Sequence, residues 1–324
     1  IVIDNSNVNV GKSNQIENQS TMTIKNGSVV NGAVATSSNA KNPGTIIVED
    51  ATYAVTGQFS GSDLGTGTLI IKKGANVSVG SIKAGANVTV DAEGMTAGDE
   101  INFTANLSQF TGKLSVINND KLEASIVNGK VVLAAKPVAK IGEQGYATLN
   151  EAFAAATEGQ TITLLDDATP ALTSQRAITK AAVIDLGGKT MTLTEDDLYF
   201  GTTTFKNGTI VVDPSVKPST AVFWMFANQT LTFDNVKLVA TGVTGTYLIG
   251  LDGNNSDLNL LNGSEIFVEN TTALDLDIIC VNASTGNDIK VENSKVNVTN
   301  LDGRVFFRGN YTVKDSEVNL AGIT

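Results

Sequence analysis

The chain repeats one short pattern, in which an apolar residue, any residue, Asn or Asp, and two further residues precede a second apolar residue. Six copies share this spacing: Ile24-Asn26-Val29, Val48-Asp50-Tyr53, Phe205-Asn207-Ile210, Phe233-Asn235-Leu238, Val291-Asn293-Val296 and Val313-Asp315-Val318. A seventh, Leu260-Asn262-Ile266, has one extra residue, as at a β-bulge. From position 207 onward the Asn or Asp residues are 28, 27, 31 and 22 residues apart. Such intervals are typical of stacked repeats, so the pattern predicts a coiled fold.

Asn and Asp suit a corner between two strands of a coil. Both tolerate left-handed backbone angles, and both can hydrogen-bond to their own turn. In the copy around Asn293, Val291 and Val296 are predicted to point inward on either side of the corner. Side chains stacked from coil to coil are expected to form amide ladders.

The composition favours strands and turns over helices. Hydrophobic residues make up 41% of the chain and charged residues 17%, with 31 Gly and 5 Pro. The alternative is a β-sandwich, but sandwich strands recur about every 8 to 12 residues, a shorter interval than the repeat found here. For the N-terminal part both folds stay open, because GTLIIKKGANVSVG (67–80) and GANVTVD (85–91) recur at shorter intervals.

One short helix divides the chain into two predicted units. Thr148 and Glu151 have the spacing of a capping box, and Gly159 stands where a helix C-cap is wanted. A helix near 148–158 would cover the open end of a stack of strands. We therefore predict a parallel β-helix over 141–324 and a separate β-rich unit, expected to be β-helical, over 1–135. The first unit is expected to end in a hairpin around Asn128-Gly129.

The second unit resembles a known family. The segment YATLNEAFAAATEGQTITLLDD, followed by coils such as LTFDNVKLVA and IKVENSKVNVTN, resembles bacterial extracellular right-handed parallel β-helix proteins of the pectate-lyase-like superfamily, particularly surface proteins of gut anaerobes. The segment GTLIIKKGANVSV in the first unit more loosely resembles passenger repeats of autotransporter-type adhesins. The resemblance implies a right-handed solenoid that is secreted or displayed at a bacterial surface. It implies no single activity, because this fold carries lyases, hydrolases, adhesins and stalks.

Composition also excludes several classes of chemistry. The chain has no His, which removes catalytic triads and the usual His-containing zinc sites. Its formal charge of −11 disfavours nucleic acid as a partner. Its one cysteine, Cys280, lies between apolar neighbours and is interpreted as a buried hydrophobe. No stretch is long and apolar enough for a membrane helix.

A catalytic alternative survives these exclusions, namely a calcium-dependent polysaccharide lyase acting on acidic glycans. It needs an Asp cluster for the cation and a basic residue opposite. The best candidates are Asp275 and Asp277, predicted to lie on one strand face, with Asp252 one coil earlier and Arg304 or Arg308 one coil later as the basic residue. The same Leu-Asp-Leu-Asp alternation is also what a half-exposed strand produces.

Aromatic residues indicate a carbohydrate contact. In the segment 222–226 the only tryptophan, Trp224, shares a strand face with Phe226, while Phe223 and Met225 share the other. Tyr199 is predicted to line the same edge. Exposed rings of this kind stack on the apolar faces of sugars, although packing in the core is the competing interpretation.

These observations favour a non-catalytic secreted or cell-surface protein, an adhesive or glycan-contacting stalk without a cofactor. Its expected partner is a polysaccharide or a host or cell-surface glycan. The chain opens without Met on Ile1-Val2-Ile3, so we expect that a leader or further sequence has been removed. Its end at Thr324, four residues after Leu320 in the last repeat, is expected to be a cut rather than a cap.

Overall fold

A computed structural model shows an all-β protein built from stacked parallel coils. It describes residues 1–9, 16–18, 20–32, 34–36, 44–59, 67–82, 85–108, 110, 114–172, 178–282 and 285–324. Strands make up 57% and helix 3%, and the coils form a β-solenoid of about 11 turns. The predicted all-β coiled fold is thereby confirmed. The chain divides into two compact units, Ile1–Lys136 and Pro137–Thr324.

The first unit consists of short strands joined by tight corners. They are β1 Val2–Asp4, β2 Asn7–Asn9, β3 Ile16–Asn18, β4 Thr21–Lys25, β5 Val29–Gly32, β6 Val34–Thr36, β7 Thr45–Glu49, β8 Thr52–Phe59, β9 Thr68–Ile71, β10 Asn76–Ile82, β11 Asn87–Asp91, β12 Glu100–Asn106, β13 Leu114–Ile117, β14 Leu122–Val127 and β15 Lys130–Ala135.

Strands of successive coils in the first unit pair in parallel. One described sheet has the order β1-β4-β7-β9-β11-β13, and a second has the order β14-β15-β12-β10-β8-β5-β2. Alternate apolar side chains point between the sheets, and Tyr53 and Phe103 are the largest fully buried ones. The core of this unit is therefore a column of stacked inward-facing residues.

The predicted hairpin closes this second sheet. β14 and β15 pair antiparallel, with Val127 opposite Lys130 across Asn128 and Gly129. Both turn residues have positive φ, 50° and 76°, as a two-residue type I′ turn requires. β15 also pairs antiparallel with β12.

The second unit contains one helix among its described residues and a longer series of strands. They are β16 Ala139–Ile141, β17 Gln144–Tyr146, α1 Leu149–Ala155, β18 Thr161–Leu164, β19 Val183–Asp185, β20 Thr190–Leu193, β21 Thr203–Val212, β22 Ala221–Met225, β23 Thr230–Val239, β24 Tyr247–Leu251, β25 Asp257–Leu261, β26 Glu265–Asp275, β27 Asp277–Val281, β28 Asp288–Glu292, β29 Lys295–Asp302, β30 Phe306–Phe307, β31 Asn310–Lys314 and β32 Glu317–Ile323.

Two parallel sheets wrap the core of the second unit. The larger runs from β18 through β19, β21, β23, β25 and β28 to β31, with β26, β29 and β32 continuing beyond the corner. The smaller has the order β22-β24-β27-β30. Phe205 and Phe233 occupy equivalent positions on successive coils, and their rings stack with centroids 5.6 Å apart. In-register pairing thus places like side chains above one another.

The corner residues adopt the backbone predicted for them. The Asn or Asp of all seven copies has φ between 44° and 57°, in the left-handed region: Asn26, Asp50, Asn207, Asn235, Asn262, Asn293 and Asp315. Asn and Asp enter this region at lower energy than most residues with a Cβ. The repeat in the sequence is therefore a repeat of backbone conformation.

Corner side chains also bridge successive coils, as the ladder prediction requires. Asn235 Nδ2 donates to Asn207 Oδ1 at 3.2 Å, and Asn262 Nδ2 donates to Asp234 Oδ1 at 2.7 Å. Buried serines add a second link at the corner. Ser264 Oγ accepts a hydrogen bond from Val236 N at 3.1 Å and donates to carbonyl oxygens of both its own coil and the preceding one.

Helix α1 carries the predicted capping box. Thr148 Oγ1 accepts from Glu151 N, and Glu151 Oε2 accepts from Thr148 N, both at 3.2 Å. Leu149, Ala152 and Phe153 are buried in the core of the second unit. The expected end of the helix at Gly159 is wrong. The helix ends at Ala155 and the cap is Ala156, whose extended backbone begins the approach to β18, while Gly159 lies in the following turn.

Among the described residues, no helix is both long enough and apolar enough to span a bilayer.

Candidate functional site

The four-stranded sheet presents an alternating outer face near its first strand. In β22, Phe223 and Met225 are buried, Trp224 is half-buried, and Phe226 just beyond the strand is 43% exposed. This is the division of faces that the sequence pattern predicts. The segment 197–198 lies beside β22, because Asp197 N donates to Ala221 O at 2.7 Å and Trp224 N donates to Leu198 O at 2.9 Å.

This pairing brings the predicted aromatic residues together. Tyr199 and Phe226 meet edge to face with ring centroids 4.9 Å apart. Together with Trp224, Asp197 and Thr220 they line a cleft of about 360 Å³, within the usual size range of small-molecule sites. Phe200, the neighbour of Tyr199, points the other way and packs against Phe205 and Phe223 in the core.

Trp224 lies against the backbone of the next coil. Its pairing partner on β24 is Gly250, and a Cβ at position 250 would come within 2.9 Å of Trp224 Cε3 and Cζ3. The six-membered part of the indole therefore occupies the space that any other residue would fill. No sequence pattern distinguishes Gly250, because only the register of the two strands brings it against the ring.

The polar groups of the cleft are held in place by hydrogen bonds. The Tyr199 hydroxyl accepts a hydrogen bond from Gln229 Nε2, and Gln229 Oε1 accepts one from Phe226 N at 3.2 Å. Gln229 thereby fixes both Tyr199 and the backbone that carries Phe226. Asp197 Oδ1 accepts a long hydrogen bond from Ala221 N at 3.4 Å. Gln229 was not predicted, and no local sequence signal distinguishes it.

The predicted calcium cluster is arranged differently from its sequence interpretation. Asp275 and Asp277 do not share a strand face, because β26 ends at Asp275 and β27 begins at Asp277. Leu276 between them is fully buried, so the chain turns there from the large sheet to the small one. Asp275 is consequently exposed, whereas Asp277 is buried. The alternation that suggested one face runs across a corner.

Asp252 lies far from the other two carboxylates. Asp277 pairs with Tyr247 at the start of β24, while Asp252 follows the end of that strand. Five residues at ~3.3 Å each put Asp252 roughly 16 Å along the strand from Asp277, beyond the reach of a shared cation. Within the described part of the chain, no group of three acidic or Cys side chains is suitably placed for a metal ion.

Arg304 and Asp277 are brought together, but as an ion pair. Arg304 donates to both carboxylate oxygens of Asp277 through Nε, at 3.1 and 3.2 Å, and through its terminal nitrogen. The backbone N of Arg304 adds a bond of 2.7 Å to Oδ1. The hydrogen bond to Asp277 raises the pKa of the Arg304 guanidinium, so this side chain is a poor general base.

Cys280 lies on the same sheet and is fully buried. Desolvation raises the pKa of its thiol, which disfavours the thiolate that a nucleophile needs. This environment agrees with the interpretation of Cys280 as a buried hydrophobe.

Comparisons with protein-family models, with curated proteins and with solved structures found no match, so the geometry of the chain itself is the basis for assigning a function.

Proposed function

We propose that this protein is a non-catalytic β-helix, secreted or displayed at a bacterial surface, that contacts glycans through the cleft of Tyr199, Trp224 and Phe226. The observation that carries the proposal is the meeting of these three rings from successive coils around one open cleft. Aromatic rings with one accessible side offer a large apolar contact at small entropic cost, which suits the apolar faces of sugar rings. The location and the right-handed coil follow from the resemblance to extracellular β-helix proteins.

The remainder of the solenoid serves as a scaffold in this proposal. Helix α1 packs Phe153 against Phe200 at a centroid distance of 6.2 Å, and Phe200 is the inward-facing neighbour of Tyr199 in the same coil. In this proposal the helix covers the first coils of the second unit and supports the cleft through the Phe153–Phe200 contact. We propose that it acts as the end cap of that unit, since an uncovered strand edge invites pairing with other chains.

A glycan array tests the proposal. We expect the wild-type chain to bind a set of oligosaccharides and the variant Phe226→Ala to lose most of that binding, because Phe226 is an exposed wall of the cleft. Trp224→Ala should have the same effect. Phe267→Ala is the matched control, because Phe267 is half-buried like Trp224 but packs beneath Lys237 on the larger sheet, away from the cleft lining. No binding by wild type, or equal loss in the control, would remove the cleft as a glycan site.

A further inference from the structure

Resting on the proposed function, we infer that the cleft selects uncharged sugars and that Asp197 is the residue that sets this selectivity. Asp197 is the one ionised side chain among the described residues that line the cleft, where its neighbours are Tyr199, Thr220, Trp224 and Phe226. The described lining contains no Lys or Arg. A carboxylate or sulfate on the ligand would therefore meet a negative charge without a compensating cation.

The Asp197 carboxylate is held in position with acceptor capacity to spare. Its backbone is left-handed, with φ of 50°, and its own N–H is fixed by Ala221 O. The bond of 3.4 Å to Oδ1 is the one hydrogen bond to this carboxylate in the described structure. An ionised carboxylate accepts at both oxygens, so Oδ2 is available to the hydroxyl groups of a sugar.

The other polar groups complement a polyhydroxyl ligand. The Tyr199 oxygen accepts from Gln229 Nε2, which leaves the Tyr199 proton to be donated into the cleft. The Thr220 hydroxyl can donate or accept. Trp224, whose six-membered ring lies against Gly250, supplies the apolar surface. A neutral sugar has donor, acceptor and C–H groups in alternation. The cleft matches them with the Asp197 carboxylate as acceptor, the Tyr199 hydroxyl as donor and the Trp224 ring as apolar surface.

The neighbouring Asp196 provides an internal control. Its Oδ2 accepts from Ser219 N at 2.9 Å and from the Ser219 hydroxyl, so it fastens one coil to the next. Asp196 carries the same charge one residue away but is not part of the cleft lining. If only the negative charge near the cleft mattered, substitution of either residue would change the selectivity. If a local contact with the ligand matters, only substitution of Asp197 would change it.

An array of matched pairs tests this inference, each pair holding a neutral oligosaccharide and the uronic acid that differs from it only at C6. We expect wild type to bind neutral members about 4- to 10-fold more tightly, as two like charges about 5 Å apart imply in an open cleft where water keeps the effective dielectric constant at roughly 50 to 80. Asp197→Asn should narrow that gap to less than about twofold. Asn tolerates the same left-handed backbone, and it keeps the oxygen that Ala221 N contacts. Asp196→Asn should leave the gap unchanged.

The outcomes separate the two proposals. Failure to bind either member of any pair would overturn the glycan function itself. Equal binding of both members by wild type, a preference for uronic acids, or a gap that Asp197→Asn leaves intact would overturn the selectivity inference while the glycan function stands. Circular dichroism of Asp197→Asn confirms that the fold is kept, and Thr220→Val, which removes a neutral lining group, should weaken both members equally.

Discussion

At the scale of single residues, the corner pattern is the part of this structure that the sequence predicts most completely. All seven predicted corners are left-handed, because few residues other than Gly, Asn and Asp reach that region at low energy. Three further copies of the spacing also have a left-handed Asn and were missed as copies: Ile3-Asn5-Val8, Ile126-Asn128-Val131 at the hairpin turn, and Phe226-Asn228-Leu231, with φ of 44°, 50° and 59°. Their flanking residues satisfy the pattern, so a wider search of the sequence would have found them.

The corners make a direct prediction for stability. Asn235→Ala should lower the free energy of unfolding by about 1–2 kcal/mol, because Ala is strained at positive φ and the bond to Asn207 is lost. Asn235→Gly should cost less, since Gly adopts this backbone without strain. Urea denaturation of the two variants measures the difference. Equal losses would show that the side-chain ladder, rather than the backbone, decides the residue at the corner.

Gly250 illustrates what a sequence pattern does not reveal. We expect Gly250→Ala to displace the Trp224 ring, because the new Cβ would lie 2.9 Å from two of its carbons. Since Trp224 is the only tryptophan, its fluorescence maximum should shift to longer wavelength as the ring becomes more hydrated. An unchanged spectrum would mean that the ring does not lie where the structure places it.

At the scale of elements, the long strands could be predicted from the sequence. The turns at which the chain passes from one sheet to the other could not. β21 (Thr203–Val212) and β23 (Thr230–Val239) bury apolar residues on both sides of their Asn corners, as the corner pattern predicts. The segment around Leu276 was misread because its alternating Leu and Asp continue across a corner that carries no Asn or Gly. Periodicity reports which side chains face inward, but it does not report which sheet the strand belongs to.

The helix cap is a second element whose contribution can be measured. Thr148→Ala removes the hydroxyl that accepts from Glu151 N, while the bond from the backbone N of residue 148 to Glu151 Oε2 stays possible. Loss of the hydroxyl should cost about 1 kcal/mol in the free energy of unfolding. Thr148→Ser keeps the hydroxyl and should retain most of that stability. Denaturant titration of the three proteins tests this expectation, and a Ser variant as unstable as Ala would rule out the hydroxyl as the source.

The Asp277–Arg304 pair links β27 to the start of the next coil, and we expect its role to be structural. Arg304→Ala should lower the melting temperature, because it leaves the buried Asp277 carboxylate without its charged partner. Arg304→Lys should recover only part of the loss, since it cannot form the two-pronged contact. Adding calcium chloride to wild type should leave the melting temperature unchanged. A calcium-dependent rise would instead favour the lyase alternative.

At the scale of the whole molecule, the sequence predicts the solenoid but only part of the cleft. Tyr199 and Trp224 are 25 residues apart, close to one repeat, which is why they meet on adjacent coils. The contribution of Asp197, Thr220 and Gln229 depends on the register between segment 197–198 and β22, and no pattern in one chain specifies that register. The candidate site was therefore predictable in its aromatic residues and not in its polar ones.

The most direct test of the proposed glycan site is a fluorescence titration of the single tryptophan with the neutral oligosaccharide bound most strongly on the array. Because Trp224 lines the cleft, we predict a saturable change in its emission. Phe226→Ala should raise the Kd by at least about 10-fold, because it removes an aromatic contact worth roughly 1.4 kcal/mol. Binding that is seen by calorimetry but leaves the Trp224 emission unchanged, with the same Kd in Phe226→Ala, would contradict it.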